Sequence, residues 1–155
     1  MTKETAVKEE KNVKAEKLAA FLTENQINCF EKQDFNDEKG TAVFRSRMEV
    51  KGQTLPFAVL LDKTIFSLVQ VQLAGSVAKG DALEKLVGYV NELNNNYRFF
   101  KFSATAAGDL LLNVVLTAKD EDFDPALLNA VIGETLKFLE NEYANIMEHV
   151  WRESK

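Results

Sequence analysis

Residues 42–74, AVFRSRMEVKGQTLPFAVLLDKTIFSLVQVQLA, decide the fold class. In the first nine, Ala42, Phe44, Ser46, Met48 and Val50 alternate with Val43, Arg45, Arg47 and Glu49. That period of two marks a strand with one buried and one wet face. Lys51 and Gly52 signal a tight turn, and a second strand follows with Leu55, Phe57, Val59 and Leu61 on one side. Pro56 cannot donate a ladder hydrogen bond, so it predicts an edge strand or a strand start. Asp62 and Lys63 mark another turn before 65–73, where Ser67, Val69, Val71 and Leu73 alternate with Leu68, Gln70 and Gln72. Three alternating runs joined by short turns predict an antiparallel meander.

On the N-terminal side the spacing becomes helical. Leu18, Phe21 and Leu22 share one face of a helix expected over 12–24. Alternation begins near Ile27, which places Cys29 in a strand beside Phe30 as a packing residue. On the C-terminal side Asp81 is a candidate cap for a helix over 82–94, with Leu83, Leu86, Val87, Val90 and Leu93 in one stripe. Asn94, Asn95 and Asn96 stop it. Strands over 99–104 and 110–117 form a second hairpin, with Gly108 free to take positive φ in the turn. Asp124 and Pro125 then start the longest helix, whose stripe runs from Leu128 through Val131, Ile132, Leu136, Leu139, Tyr143, Ile146 and Met147 to Val150. The expectation is an α+β fold: helix, antiparallel strands, helix, β-hairpin and long C-terminal helix, with the helices packed on one antiparallel sheet. Residues 1–11, mixed in charge, read as a mobile tail, and 12–155 as a single domain.

Composition narrows the function. A net charge of -5 across 155 residues disfavours a phosphate backbone, so nucleic acid is not an expected partner. The one cysteine cannot form an intrachain disulfide and suits a reducing, cytoplasmic compartment. No apolar stretch approaches the ~20 residues needed to span a bilayer, and the charged N-terminus lacks the apolar core of a secretion signal.

Individual sites fail on chemistry. Asp120, Asp122 and Asp124 have the alternate spacing of a calcium loop, but Pro125 stands where glycine is needed and Val131 where a bidentate glutamate is needed. Gly75, Lys79 and Gly80 are followed by Asp81 and Ala82, which a phosphate loop does not tolerate. His149 is the only histidine and has no evident catalytic partner, and Glu49, Asp62 and Asp109 are too scattered to form an acid–base pair. No enzyme, metal or cofactor is expected. Arg45, Arg47 and Lys51, with Arg98 and Lys101, read as a solvated charged face.

The apolar excess is more informative. Leu127, Ala130 and Phe138 flank the last helix's stripe, and Tyr89 lies at the edge of the middle helix's stripe, so these four are candidate interface residues. Eleven phenylalanines are many for this length, and Phe66, Phe100 and Phe102 fall opposite their apolar neighbours in the strands.

The run LEKLVGYVNELNNNYRFFKFSATAAGDLLLNVVLT and the helix ending LENEYANIMEHV carry a resemblance. With Leu86, Asn91, Leu93, Asn94, Lys101, Phe102, Gly108, Leu110, Leu112 and Tyr143 in the matching positions, this part resembles the YbjN-like family of bacterial proteins, labelled sensory transduction regulators. That family resembles type III secretion chaperones in fold. The resemblance implies a non-enzymatic regulatory or chaperone-like module, a homodimer that holds a partner protein by an apolar groove or a sheet edge. The alternative is a small-ligand sensor with a pocket between sheet and long helix near Phe100, Lys101 and Phe102.

Overall fold

A sheet whose strands alternate with a period of two needs a cover on one face only, and this chain supplies it as three helices. The computed structural model describes residues 11–153, so all of the expected tail except Lys11 lies outside the described residues. The elements run α1 (Val13–Glu24), β1 (Glu31–Asp34), β2 (Ala42–Val50), β3 (Gln53–Leu61), β4 (Phe66–Ala74), α2 (Asp81–Asn96), β5 (Lys101–Ala104), β6 (Leu110–Thr117) and α3 (Pro125–Glu153). The six strands form one sheet in the order β1-β2-β3-β4-β6-β5, antiparallel throughout. The expected α+β layout is what the chain adopts.

The inward set is the one the alternation gives: Phe44, Met48 and Val50 of β2, Leu55, Phe57, Val59 and Leu61 of β3, and Val69, Val71 and Leu73 of β4. Leu110 and Leu112 of β6 and Phe102 of β5 join them. Leu18 and Leu22 of α1, Leu86 and Leu93 of α2, and Leu128, Leu139, Ile146 and Val150 of α3 close the same contiguous core. Lys51 and Gly52 both take positive φ, the two-residue turn whose twist matches the β2–β3 hairpin.

Several expectations change. Pro56 lies in an interior strand, but β3 is paired on both sides only from Phe57 onward. Pro56 faces Arg47 of β2 and has no β4 residue opposite, so its missing N–H interrupts no ladder. Cys29 precedes β1 and is exposed, because β1 is a short edge strand that begins only at Glu31. Asp81 is the first helical residue of α2 and Gly80 holds the cap position without a side-chain bond, so the acid acts on the helix dipole alone. Val87 is exposed, because Leu86, Leu93 and their neighbours already face α3 and the sheet. β5 begins at Lys101, leaving Phe99 81% exposed, and Phe102 is buried in the core. Asp124 caps α3 as expected, accepting from the amides of Ala126 and Leu127.

One charged side chain fastens the layers. Lys14, in α1, has no solvent exposure; its Nζ donates to the carbonyls of Thr64 and Phe66 at 2.8 Å and to Ser67 Oγ at 3.0 Å. Two residues earlier, the cap residue Asn12 donates to the carbonyls of Gly40 and Leu61. α1 is thus tied to the strand ends through polar groups that would otherwise be buried unpaired.

Burial lowers the Lys14 pKa below the free value of 10.5, with Asp62 and Asp120 opposing the shift. The folded chain therefore holds this proton less firmly than the unfolded chain. The unfavourable part of burying the charge is present below the folded pKa and is relieved as pH rises toward 10.5. Lys14→Met strips three acceptors and is expected to cost ~2–4 kcal/mol at neutral pH. The wild-type advantage should widen at alkaline pH, because tyrosine titration is common to both proteins and cancels in the difference; urea unfolding of both at two pH values measures it.

Gly108 supplies a second check. Its φ is 85°, and a Cβ there would lie 2.0 Å from the Ala78 carbonyl oxygen, while its own carbonyl accepts from Val77 N. Gly108→Ala is expected to cost at least ~3 kcal/mol, which is roughly 6–12 °C in Tm. Gly133→Ala in α3, where a Cβ meets open space, should instead gain ~0.5–1 kcal/mol. Calorimetry of the two variants separates them.

Candidate functional site

The strand pairings place the outward residues in rows across the face opposite the helices. Val43 lies beside Leu60, Leu60 beside Leu68, and Leu68 beside Val115, an apolar row crossing β2, β3, β4 and β6. Its exposure grows along the row: Val43 is buried, Leu60 and Leu68 are half-buried, and Val115 is 56% exposed. Phe66, at the end of β4 on the same face, is 55% exposed. The next row toward the β2–β3 hairpin is polar and spans all six strands, running Glu31, Arg45, Ala58, Gln70, Asn113 and Lys101. Side-chain amides hold part of it: Gln70 donates to Asn113 Oδ1 at 2.8 Å, and Asn113 donates to Ser103 Oγ at 3.2 Å. Between Glu31, Arg45, Arg47, Gln70, Gln72 and Leu111 lies an open groove of about 650 Å³.

The sheet's two edges are closed differently. β1 is four residues long, and its Glu31, Lys32, Gln33 and Asp34 are all exposed, a short charged edge that discourages pairing with another strand. On β5 the outward amide and carbonyl of Phe102 are both taken by Asn94, whose Oδ1 accepts at 2.7 Å and whose Nδ2 donates at 3.0 Å. An α2 side chain thus occupies the place of a seventh strand.

The candidate residues read from sequence scatter. Phe138 stacks on Phe100 at 4.2 Å between ring centroids and meets Tyr97 edge-on at 4.9 Å, with Phe102 beside them. Phe100 and Phe102 therefore fill the space between β5 and α3, and Lys101 is exposed on the opposite face of the sheet; the three do not converge on one cavity. Tyr89 stacks on His149 at 3.7 Å, joining α2 to the end of α3. Of the four proposed interface residues, only Leu127, at 58%, and Ala130 stay exposed on α3. The row of Val43, Leu60, Leu68 and Val115 was missed, although its signal was present as apolar residues at both parities of the strands.

The acids considered for catalysis lie on separate elements. Glu49 accepts from Thr54 Oγ1, Asp62 from the amide and hydroxyl of Thr64, and Asp109 from Ser76 N. Burial pushes the hydroxyl pKa of Tyr143 up, and burial with the Glu142 carboxylate does the same for Tyr97. Among the described residues no cluster of His, Cys, Asp or Glu could hold a metal ion, and no helix is long and apolar enough to cross a membrane. No family model matches the chain, and no curated protein matches its sequence.

Proposed function

We propose that this chain is a non-enzymatic protein-interaction module and that its docking surface is the helix-free face of the sheet. One observation carries the reading: the apolar row that runs from the buried Val43 through the half-buried Leu60 and Leu68 to the exposed Val115, with Phe66 beside it, crosses four strands on the face opposite the helices among the described residues. Contiguous apolar surface of this kind marks association sites on soluble domains, whereas isolated apolar residues such as Leu127 are ordinary. The adjacent polar row supplies register without removing the apolar strip, the arrangement of an interface core and its rim. A regulatory or chaperone-like role, as the YbjN-like resemblance implies, needs this kind of surface. A dedicated catalytic pocket is not required.

The reading predicts where a partner touches. With benzoylphenylalanine in place of Leu68, irradiation of extract should yield adducts with a polypeptide. The same reporter in place of Glu140, on the exposed side of α3, should yield none. Mass spectrometry of the adducts reads the result, and absence of any polypeptide adduct from the Leu68 position overturns the proposal.

A further inference from the structure

We propose that the groove beside the apolar row holds an acidic, extended segment of the partner polypeptide. Two acidic side chains, separated by one residue, lie against Arg47 and Arg45, and an apolar side chain two residues further on lies against Leu60 and Leu68. The inference rests on the docking face just described and gives the chemistry of what docks there.

The groove follows from side-chain length across three adjacent strands. Where β2 presents Arg45 and Arg47 outward and β4 presents Gln70 and Gln72, β3 between them presents only Ala58 and Pro56. Arg47 stands opposite Pro56, and Arg45 and Gln70 stand on either side of Ala58. Two long walls and a short floor make a trough along β3, and all of these residues line the groove of about 650 Å³. Its walls are two strand spacings apart, ~9.6 Å between backbones, which is room for one extended chain. A trough open along its length covers too little of a small molecule, whose sites bury most of the ligand's surface. It suits a chain that continues past both ends.

Charge selects the occupant. The chain carries a net charge of -5, yet the strand positions on this face hold three cations, Arg45, Arg47 and Lys101, against two acids, Glu31 and Glu49. The polarity of the face is the reverse of the molecule's, so it attracts an acidic segment. Arg47 is exposed and has no hydrogen bond or ion pair among the described residues, which leaves its guanidinium to offer a carboxylate two parallel N–H donors. Arg45 is already held: it donates to Gln33 Oε1, and its guanidinium lies 5.9 Å from the centre of the Phe35 ring. Both of those partners are uncharged. Arg45 therefore acts on the second acid as a positioned charge, while Arg47 supplies the hydrogen-bonding fork.

The rows set the register. Successive outward residues of β3 are ~6.6 Å apart, the same spacing as same-side residues of an extended occupant. Acids on the Pro56 and Ala58 rows thus bring the next same-side residue onto the row of Leu60 and Leu68. A slip of one row toward the hairpin sets an acid against Glu49, whose carboxylate accepts from Thr54. A slip the other way lays an acid on Leu60 and Leu68. Only one register joins opposite charges and keeps the apolar row apolar.

The test uses the full chain in low-salt buffer and a capped synthetic peptide, Ser-Glu-Ser-Glu-Ser-Leu-Ser, beside versions with Gln or Lys in place of both Glu. Cys29 is the one cysteine, is exposed and lines the groove, so its alkylation by uncharged iodoacetamide, with and without peptide, reports occupancy. The Glu peptide should slow alkylation saturably and bind about tenfold tighter than the Gln peptide. Arg47→Gln should weaken the Glu peptide about tenfold with an unchanged circular dichroism spectrum. Arg47→Glu should lose the Glu peptide and bind the Lys peptide instead. No protection by the Glu peptide, equal protection by all three peptides, or protection unchanged in Arg47→Gln overturns the inference. If the Leu68 cross-linker captures a polypeptide while the Glu peptide gives no protection, the acidic occupant is excluded and the interaction module stands; if there is neither capture nor protection, both fall.

Discussion

Everything in this fold follows from covering a six-stranded sheet on one face only. Helices on one side require the strands beneath them, β2 to β6, to bury residues of one parity, and the zero or near-zero exposure of Phe44, Val59, Val69, Leu110 and Leu112 shows how fully that face is sealed. The same constraint leaves the other face without a helix among the described residues, so whatever apolar residues stand there must remain solvated or meet something else. It also concentrates the polar work at strand ends. Asn12, the cap of α1, and Lys14 within it take up carbonyls around the β1–β2 and β3–β4 connections, and the β5–β6 turn packs Gly108 against Ala78. A lysine without solvent exposure is tolerable here because each of its three protons has an acceptor, and replacing the ammonium takes the donor from two part-buried carbonyls and the buried Ser67 hydroxyl.

The layout was legible because its signals are local. The alternation over 42–74, the Lys51–Gly52 turn, the Asp124–Pro125 start and the long apolar stripe of α3 each specify structure without reference to distant residues, and each reappears in the fold. What was not legible depends on tertiary context. Lys14 stands four residues before Leu18 on the buried stripe of α1, yet a lysine reads as solvent-facing unless its acceptors, fifty residues away, are known. Pro56 excludes an interior strand only where both neighbours are laddered, and the ladder to β4 stops one residue short of it. Cys29 and Val87 were assigned by extending a periodicity past the point where a packing partner exists.

The candidate site was hidden for a related reason. Along the chain Val43, Leu60, Leu68 and Val115 look like single lapses in four separate alternations, each too small to signal anything. The pairings between β2 and β3, β3 and β4, and β4 and β6 turn those lapses into one line. The wide apolar arc of the helices, by contrast, looked like surplus surface and is largely consumed indoors, since Phe138 joins Phe100, Phe102 and Tyr97 and Tyr89 lies against His149. Counting apolar residues on a helix says how much surface is offered; only the packing says how much is already used.

The treatment of the edges bears on why the free face carries an apolar strip at all. A two-sided sheet edge is the more hazardous exposure, because unpaired amides and carbonyls accept any extended chain regardless of sequence. Here the short charged β1 and the Asn94 pairing to Phe102 suppress that indiscriminate route. The face of a sheet, unlike its edge, recognises through side chains, so its contacts depend on which residues stand in which row. Closing the edges while leaving Leu60, Leu68 and Val115 outward therefore exchanges backbone association for side-chain association. Of the two, only the second can be specific to a partner.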